Sequence, residues 1–360
     1  MRGRSLLPAL LVACASTSPA PLPSSDHASL TLPGPMRGRG PTMAERNQQC
    51  AACHPDVAAE WQGSPHQRSD RGEAYRRAYS REPLAMCRGC HAPEADPRRE
   101  PPEPLSLLGV GCVTCHLSGD TVLAAPRSQE LTREIAPHPI RRVPAFAGAG
   151  ACAGCHEFPF PDGALRADHA LMQSTVSEHA ASEHRHVPCA SCHMPARGEG
   201  RRHHGFSRED RTAALRDAIV VASRRLPQGS VEVRLELRGV GHALPTGDLF
   251  RRIEISAEAF SDEYVRVAED ARYLTRHFHP AGKSGAPRRQ RHDDRLGADG
   301  QTVRVVRLPL GQAAAPLPIA WRVAYQRLAH PAGDDDDHAV VESEVTIAQG
   351  ILPAHEGEPP

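Results

Sequence analysis

Ten of the eleven cysteines in this 360-residue chain fall into five copies of Cys-x-x-Cys-His, all between residues 50 and 193. The copies are Cys50-Ala-Ala-Cys53-His54, Cys87-Arg-Gly-Cys90-His91, Cys112-Val-Thr-Cys115-His116, Cys152-Ala-Gly-Cys155-His156 and Cys189-Ala-Ser-Cys192-His193. Two thiols three residues apart can form thioether bonds to the two vinyl groups of one porphyrin. The next residue, a histidine, is then held beneath the ring with a nitrogen toward the iron. A bare Cys-x-x-Cys also suits a zinc knuckle or a dithiol redox pair. Neither requires a histidine after every second cysteine, so the repetition predicts five covalently bound c-type haems (Fe). The ten motif cysteines are the expected attachment points, and His54, His91, His116, His156 and His193 the expected proximal metal ligands.

This count decides how the chain can build a core. Aromatic residues are only 4% of the sequence, thin for a core of this size, and five porphyrins would supply the missing flat apolar surface. Folding of the motif region should then be coupled to cofactor attachment, as metal binding is in small metal domains. The length allows two domains plus tails. A formal net charge of zero gives no reason to expect nucleic acid as a partner. The basic residues are almost all arginine, with Lys283 the only lysine. Genomic codon bias explains that, and so does pairing of guanidiniums with haem propionates.

The eleventh cysteine, Cys14, follows Arg2, Arg4 and an apolar stretch from Leu6 to Ala13. That is the order of a secretory signal. Leu11-Val12-Ala13-Cys14 has the form of a bacterial lipobox, whose cysteine is acylated. An ordinary signal cleaved after Ala20 would instead discard Cys14. The expectation is a lipoprotein-type signal over 1–14 and an exported, periplasm-facing or cell-surface protein anchored to the membrane through lipidated Cys14. No later segment reaches the about 18 apolar residues of a membrane helix.

Residues 15–45 are rich in Pro, Ser, Gly and Thr and read as a flexible linker. The haem motifs follow at uneven first-cysteine spacings of 37, 25, 40 and 37, which excludes a regular solenoid. Helices are expected over 44–53, 71–80 and 163–183 within a pentahaem domain spanning 46–206. Ser207, with the acidic residues after it, caps a connecting helix over 207–226. Beyond it, 231–237 alternates apolar and polar residues as a half-buried strand. Similar segments at 252–260, 302–308, 319–325 and 340–346 predict a β-sandwich-like domain over 227–350, with a tail over 351–360. The expected fold class is therefore α+β and multidomain: a mainly helical, loop-rich multihaem domain followed by a β-sandwich-like domain.

An iron with one histidine can take a second on its other face, or keep that face open. Sixteen of the 21 histidines lie outside the motifs, so composition alone does not choose among them. Glu60-Trp-Gln-Gly-Ser-Pro-His66 resembles the Trp-x-x-Ser-x-His signature of multihaem cytochromes akin to the tetrahaem electron carrier of nitrifying bacteria. Gly109-Val-Gly-Cys-Val-Thr-Cys-His116, Ala136-Pro-His138-Pro-Ile140, Met172-Gln-Ser-Thr175 and His204-Gly-Phe206 extend the resemblance. So does Gly239-Val-Gly-His242-Ala-Leu-Pro-Thr-Gly247, which is similar to a motif in the β module of larger relatives. The resemblance implies His66, His138 and His204 as distal iron ligands and adds His242 as a further candidate. His203 competes with His204, and His169, His179 and His184 are spare donors. Relatives commonly carry Trp where His179 stands, a departure that bears on local haem packing.

The function implied is electron transfer through mostly bis-His haems, with redox partner proteins, quinol-linked or other cytochromes, at either end. The alternative is a reductase or oxidase of a small nitrogen or sulfur compound at one open haem. All five motifs end in histidine, unlike the lysine-bearing catalytic motif of pentahaem nitrite reductases. The run of four aspartates over 334–337 lacks the interleaved spacing of a calcium loop and reads as a solvated turn.

Overall fold

A computed structural model of the chain describes residues 31–126, 137–160, 171–198, 201–206, 211–278, 290–329 and 339–354. Cys14, His169, Lys283, the helix cap at 207–210 and the aspartate run at 334–337 lie outside the described residues. Contacts divide the chain into Met1–Thr31 and Leu32–Pro360, and every element named below lies in the second unit.

The motif-bearing half is built of short helices, among them Thr42–Cys53, Glu73–Arg81, Ala85–His91, Cys112–His116, Gly150–His156, Thr175–Ala181 and Cys189–His193. Its apolar cluster is small and centres on Met43, Ala92, Leu105, Leu108 and Val113. Residues 32–41 depart from the expected flexible linker. The Met36, Gly38 and Gly40 amides donate to the carbonyls of Gly89, Pro93 and Glu94 at 2.8, 2.9 and 2.9 Å. Arg39 also forks onto the buried Glu94 carboxylate at 2.8 and 2.7 Å. The helix expected over 163–183 is also reshaped: Leu171–Ser174 is a strand paired with Glu157–Pro159, and among the described residues of that range Thr175–Ala181 is the helical part.

Helix Arg211–Ala218 is shorter than the connecting helix expected over 207–226. It stops where Ile219, Val220 and Val221 begin, because branching at Cβ costs χ1 freedom in a helix and favours a strand. The strands that follow are β1 (Ile219–Arg225), β2 (Ser230–Leu237), β3 (Arg251–Phe260), β4 (Arg266–Leu274), β5 (Arg276–Phe278), β6 (Gln290–Asp293), β7 (Val303–Pro309), β8 (Ile319–Leu328) and β9 (Val341–Leu352). They form a three-stranded sheet in the order β7-β2-β1 and a four-stranded sheet in the order β4-β3-β8-β9, all antiparallel. Strands β5 and β6 make a separate hairpin.

Alternate residues on β2 (Val231, Val233, Leu235) and β3 (Ile253, Ile255, Ala257) are fully buried, as a period of two requires of a one-sided sheet. Both sets join Leu308, Ile319 and Val323 in one apolar cluster, so the two sheets share a core. Among the described residues, no helix is long and apolar enough to cross a membrane.

Candidate functional site

Each motif lies on a helix or at its end, with its histidine at the helix terminus: at the C-cap for His54 and as the last helical residue for the other four. Residues i and i+3 share a helix face, so one turn presents both thiols to the same side. Burial pushes the Cys112 thiol up to about 11 and the Cys115 thiol up to about 12. In this third motif the thiols therefore lack the thiolate character that a dithiol redox pair needs. The motifs also do not gather their sulfurs and histidines into a cage of three converging donors, the arrangement that zinc requires.

The histidines are organised differently, as facing pairs. His66 stands opposite His156, His204 opposite His116 and His242 opposite His193. In all three pairs the ring centres are 6.2 Å apart. Two imidazoles on one iron, each bonded at about 2 Å with about 1.1 Å from nitrogen to ring centre, would stand about 6.2 Å apart. The spacing is too long for stacking and fits one metal ion between each pair. The rings are perpendicular in the first pair (89°) and nearly parallel in the third (17°).

Hydrogen bonds orient the rings. The Nδ1 atoms of His116, His204, His242 and His91 face the carbonyls of Leu123, Arg202, Ala243 and Ser69 at 2.9, 2.8, 3.1 and 2.6 Å. Donation from Nδ1 leaves the Nε2 lone pair for a metal, the usual way a ligating histidine is held. Burial lowers the pKa of each of these four rings and of His156, and takes His66 down to about 4. All six are therefore neutral at pH 7, the form that coordinates metal. The residues present fit haem iron.

Local chemistry explains why these loops reach the site. The Trp61 indole donates to the Val110 carbonyl (2.9 Å), and the Val110 amide donates to the His66 carbonyl (2.9 Å). Gly109 sits at φ +54, where a Cβ would meet the Gln67 and His66 carbonyl oxygens at 2.4 and 2.6 Å. Only glycine allows that clasp around His66. Glu60 accepts the His204 amide at 2.9 Å and pairs with Arg201 at 2.8 Å, and Phe206 packs edge-on against both His66 and His204.

The β half delivers His242. Glu178 accepts the Ala243 amide at 3.1 Å and pairs with Arg295 at 2.6 Å, while Arg295 also donates to the Pro245 carbonyl at 3.0 Å. Sequence patterns gave no signal for Glu178, because it lies in an unremarkable helical run. Nearby, Arg251 and Arg327 each reach Asp248 at 3.1 Å. Burial opposes ionisation of Asp248, but these two guanidiniums hold it down at about 2.

The motifs also meet one another. The Cys90 thiol is within hydrogen-bonding reach of Cys155, and Cys152 of Cys189. Cys115 senses the charge of Cys155, and Cys112 that of Cys50. The fourth motif is thus the junction of the other four, reaching the first through the third.

The remaining sequence candidates are placed as follows. His138 has a buried Nδ1 with no hydrogen-bond partner among the described residues, and so does His184. Among the described residues, no second imidazole stands at the 6.2 Å spacing from His54 or His91. His91 stacks instead on Tyr75, with ring centres 3.8 Å apart and 9° between planes. The Tyr75 hydroxyl is buried without a partner there. His203 accepts the Gly205 amide at 3.3 Å and does not join a facing pair.

Similarity to known proteins bears on the fold. Residues 49–117 match the family model described as cytochrome c554 and c-prime. A penta-heme cytochrome c552 from Thermochromatium tepidum superposes with a TM-score of 0.62, covering 89% of this chain and 100% of that one at 19% identity. The chain thus shares the fold of a multihaem c-type cytochrome, and its sequence resembles that family over 49–117. A β-glucuronidase of glycoside hydrolase family 2 also matches, but at 8% identity and a TM-score of 0.17 the likeness carries no weight. No curated protein matches the chain.

Proposed function

We propose that the protein is an exported pentahaem electron carrier in which each Cys-x-x-Cys-His motif attaches one haem c. The observation that carries this reading is the set of three facing imidazole pairs at a common 6.2 Å. Haem c supplies one-electron chemistry at iron, with a potential set by axial ligands, hydrogen bonding and burial. In this reading His156 with His66, His116 with His204, and His193 with His242 would each hold one haem iron, which would supply that one-electron chemistry. Carbonyls facing Nδ1 hold three of these rings, His116, His204 and His242, in place. His138 precedes the strand Ile140–Arg142, which pairs beside Leu123, the residue that accepts from His116. It is the fourth proposed distal ligand and stands outside the three facing pairs.

The fourth motif, touching the second and fifth and sensing the third, makes the carrier a branched relay with several exits. Redox proteins, quinol-linked or other cytochromes, are the proposed partners at those exits. The domain over 46–206 holds the haems. The β-sandwich-like domain over 227–350 closes the array through His242, and lipidated Cys14 anchors the protein at the membrane.

Intact mass of the exported protein should show five haem adducts and a diacylglyceryl group on Cys14. Electron paramagnetic resonance and near-infrared magnetic circular dichroism should give at least three bis-histidine low-spin irons. Each of His66→Ala, His204→Ala and His242→Ala should convert one iron to high spin with the haem count unchanged. An unaltered low-spin count in all three variants would reject the assignment.

A second reading rests on His91, whose motif has no facing imidazole among the described residues. An open iron there would make the protein a reductase or oxidase of a small nitrogen or sulfur compound. Carbon monoxide binding to one iron, together with turnover of nitrite or hydroxylamine, would favour it, and absence of both would leave the carrier alone.

A further inference from the structure

Away from the cysteine motifs, the hairpin of β5 and β6 carries an arrangement that electron transfer does not use. His277 and His292 are direct cross-strand partners, so their side chains leave the hairpin on the same face. Asp294 follows His292 by two residues and returns to that face by strand alternation. The result is three donors in one place. His277 Nε2 is 3.1 Å from Asp294 Oδ1, His292 Nε2 is 3.8 Å from Asp294 Oδ2, and the imidazoles lie face to face at 4.0 Å and 18°. All three donor atoms lie within 4.8 Å of one another.

We propose that His277, His292 and Asp294 form a binding site for a borderline divalent transition-metal ion, with Zn2+ as its representative. Ligands bonded at about 2.0–2.1 Å in a tetrahedron stand about 3.3 Å apart, and the two separations from the carboxylate bracket that value. Two imidazoles and one carboxylate suit zinc, copper or nickel. Calcium and magnesium prefer oxygen alone. The carboxylate is held from behind, because the Thr275 amide donates to Asp294 Oδ1 at 2.8 Å. An outer hydrogen bond that orients a ligand is a mark of built metal sites. His292 keeps 48% of its side-chain exposure, so the ion would enter from solvent and keep an open position for water or a partner's side chain.

The opposite face of the hairpin is committed elsewhere. Arg276 donates to the Leu171 and Met172 carbonyls at 2.6 and 2.7 Å, and Arg295 pairs with Asp293 and Glu178. The hairpin is therefore fixed to the haem-bearing half, and the three donors stand on a supported frame.

The test uses the intact holo-cytochrome, stripped of loosely held metal with a chelator and titrated with Zn2+ in a calorimeter. One saturable equivalent should be lost or weakened at least about 10-fold in each of His277→Ala, His292→Ala and Asp294→Asn, since removing even an outer partner of a ligand costs that much. Haem absorption confirms that each variant is folded. Zinc-edge X-ray absorption of the loaded protein should report two imidazoles and an oxygen. Zn2+ should also raise the melting temperature of the parent and not that of the variants. The proposal is overturned by no binding to the parent, or by binding of equal strength and number in all three variants, which would assign the metal to other surface histidines.

Discussion

The two halves of this protein solve the folding problem by different means. Among the described residues, the β half buries Val231, Val233, Leu235, Ile253, Ile255, Leu308, Ile319 and Val323 in one cluster drawn from both sheets. The motif half buries Met43, Ala92, Leu105, Leu108 and Val113 with a few neighbours, beneath helices mostly of one or two turns. Isolated helices that short are unstable in water. A half with so little apolar packing needs something else to hold it, and its neutral, oriented histidines indicate what that is. One region can fold on its own side chains; the other is a cradle for cofactors.

The largest expected effect follows directly. Chain produced without haem attachment should lose most of its helical circular dichroism, while the signal of the sheets persists. Limited proteolysis should cut within 42–206 and spare 219–352. Equal resistance in both regions would break the comparison.

The next pair of effects is of similar size in the two halves but different in kind. Ile255 is fully buried between sheets, and Ile255→Ala should cost about 3 kcal/mol through lost contacts and a cavity. In the motif half the corresponding anchor is polar. Glu94, 1% exposed, accepts Arg39 at two oxygens and the Thr114 hydroxyl at 2.8 Å. Glu94→Gln should also cost about 3 kcal/mol, because it leaves a charged guanidinium without its partner. Denaturant unfolding followed at the haem band and at 220 nm separates the two, with Glu94→Gln acting first on the haem band.

What could be read in advance follows the same division. Alternation over 231–237 and the later apolar runs announced strands, since a one-sided sheet writes its period into the chain. Strand β1 stayed hidden because Ile219-Val-Val follows helical residues without a turn signal. The β5–β6 hairpin stayed hidden because its residues are mostly polar and lack alternation. In the motif half, the cysteine spacing named the cofactor without any structure. The facing of His66 to His156 and of His204 to His116 was not legible, because each pairing joins distant loops and depends on hydrogen bonds such as Val110 to His66 and His204 to Glu60. A helix over 163–183 was expected, but strand pairing with Glu157–Pro159 prevails over Leu171–Ser174.

A smaller effect tests the junction between the halves. Asp248 titrates at about 2 in the folded protein, against an ordinary 3.8. Its folded value is depressed, so its stabilisation is complete well above pH 3.8 and is lost as pH falls through about 2. In full, such a shift corresponds to about 2 kcal/mol. The side chain keeps 34% exposure, so screening reduces the expected contribution to about 1 kcal/mol. Asp248→Asn should lower stability at pH 6 by that amount and flatten the acid limb of the stability curve. An unchanged acid limb would mean that Arg251 and Arg327 find other partners.

The smallest effect sharpens the contrast within the motif half itself. Arg46 and Asp120 pair at 2.8 Å, but with 44% and 85% of their side chains exposed. In water such a pair contributes about 0.3 kcal/mol, because Coulomb attraction is screened and two mobile chains must be held still. Arg46→Ala should therefore leave the unfolding midpoint nearly unchanged, where Glu94→Gln shifts it strongly. The two pairs have nearly equal separations, so distance cannot account for the difference; burial can. If Arg46→Ala proved as costly as Glu94→Gln, the stability of this half would come from charge pairing in general. A null result places it in the few ion pairs shielded from water, packed among groups that would otherwise have only the cofactor to support them.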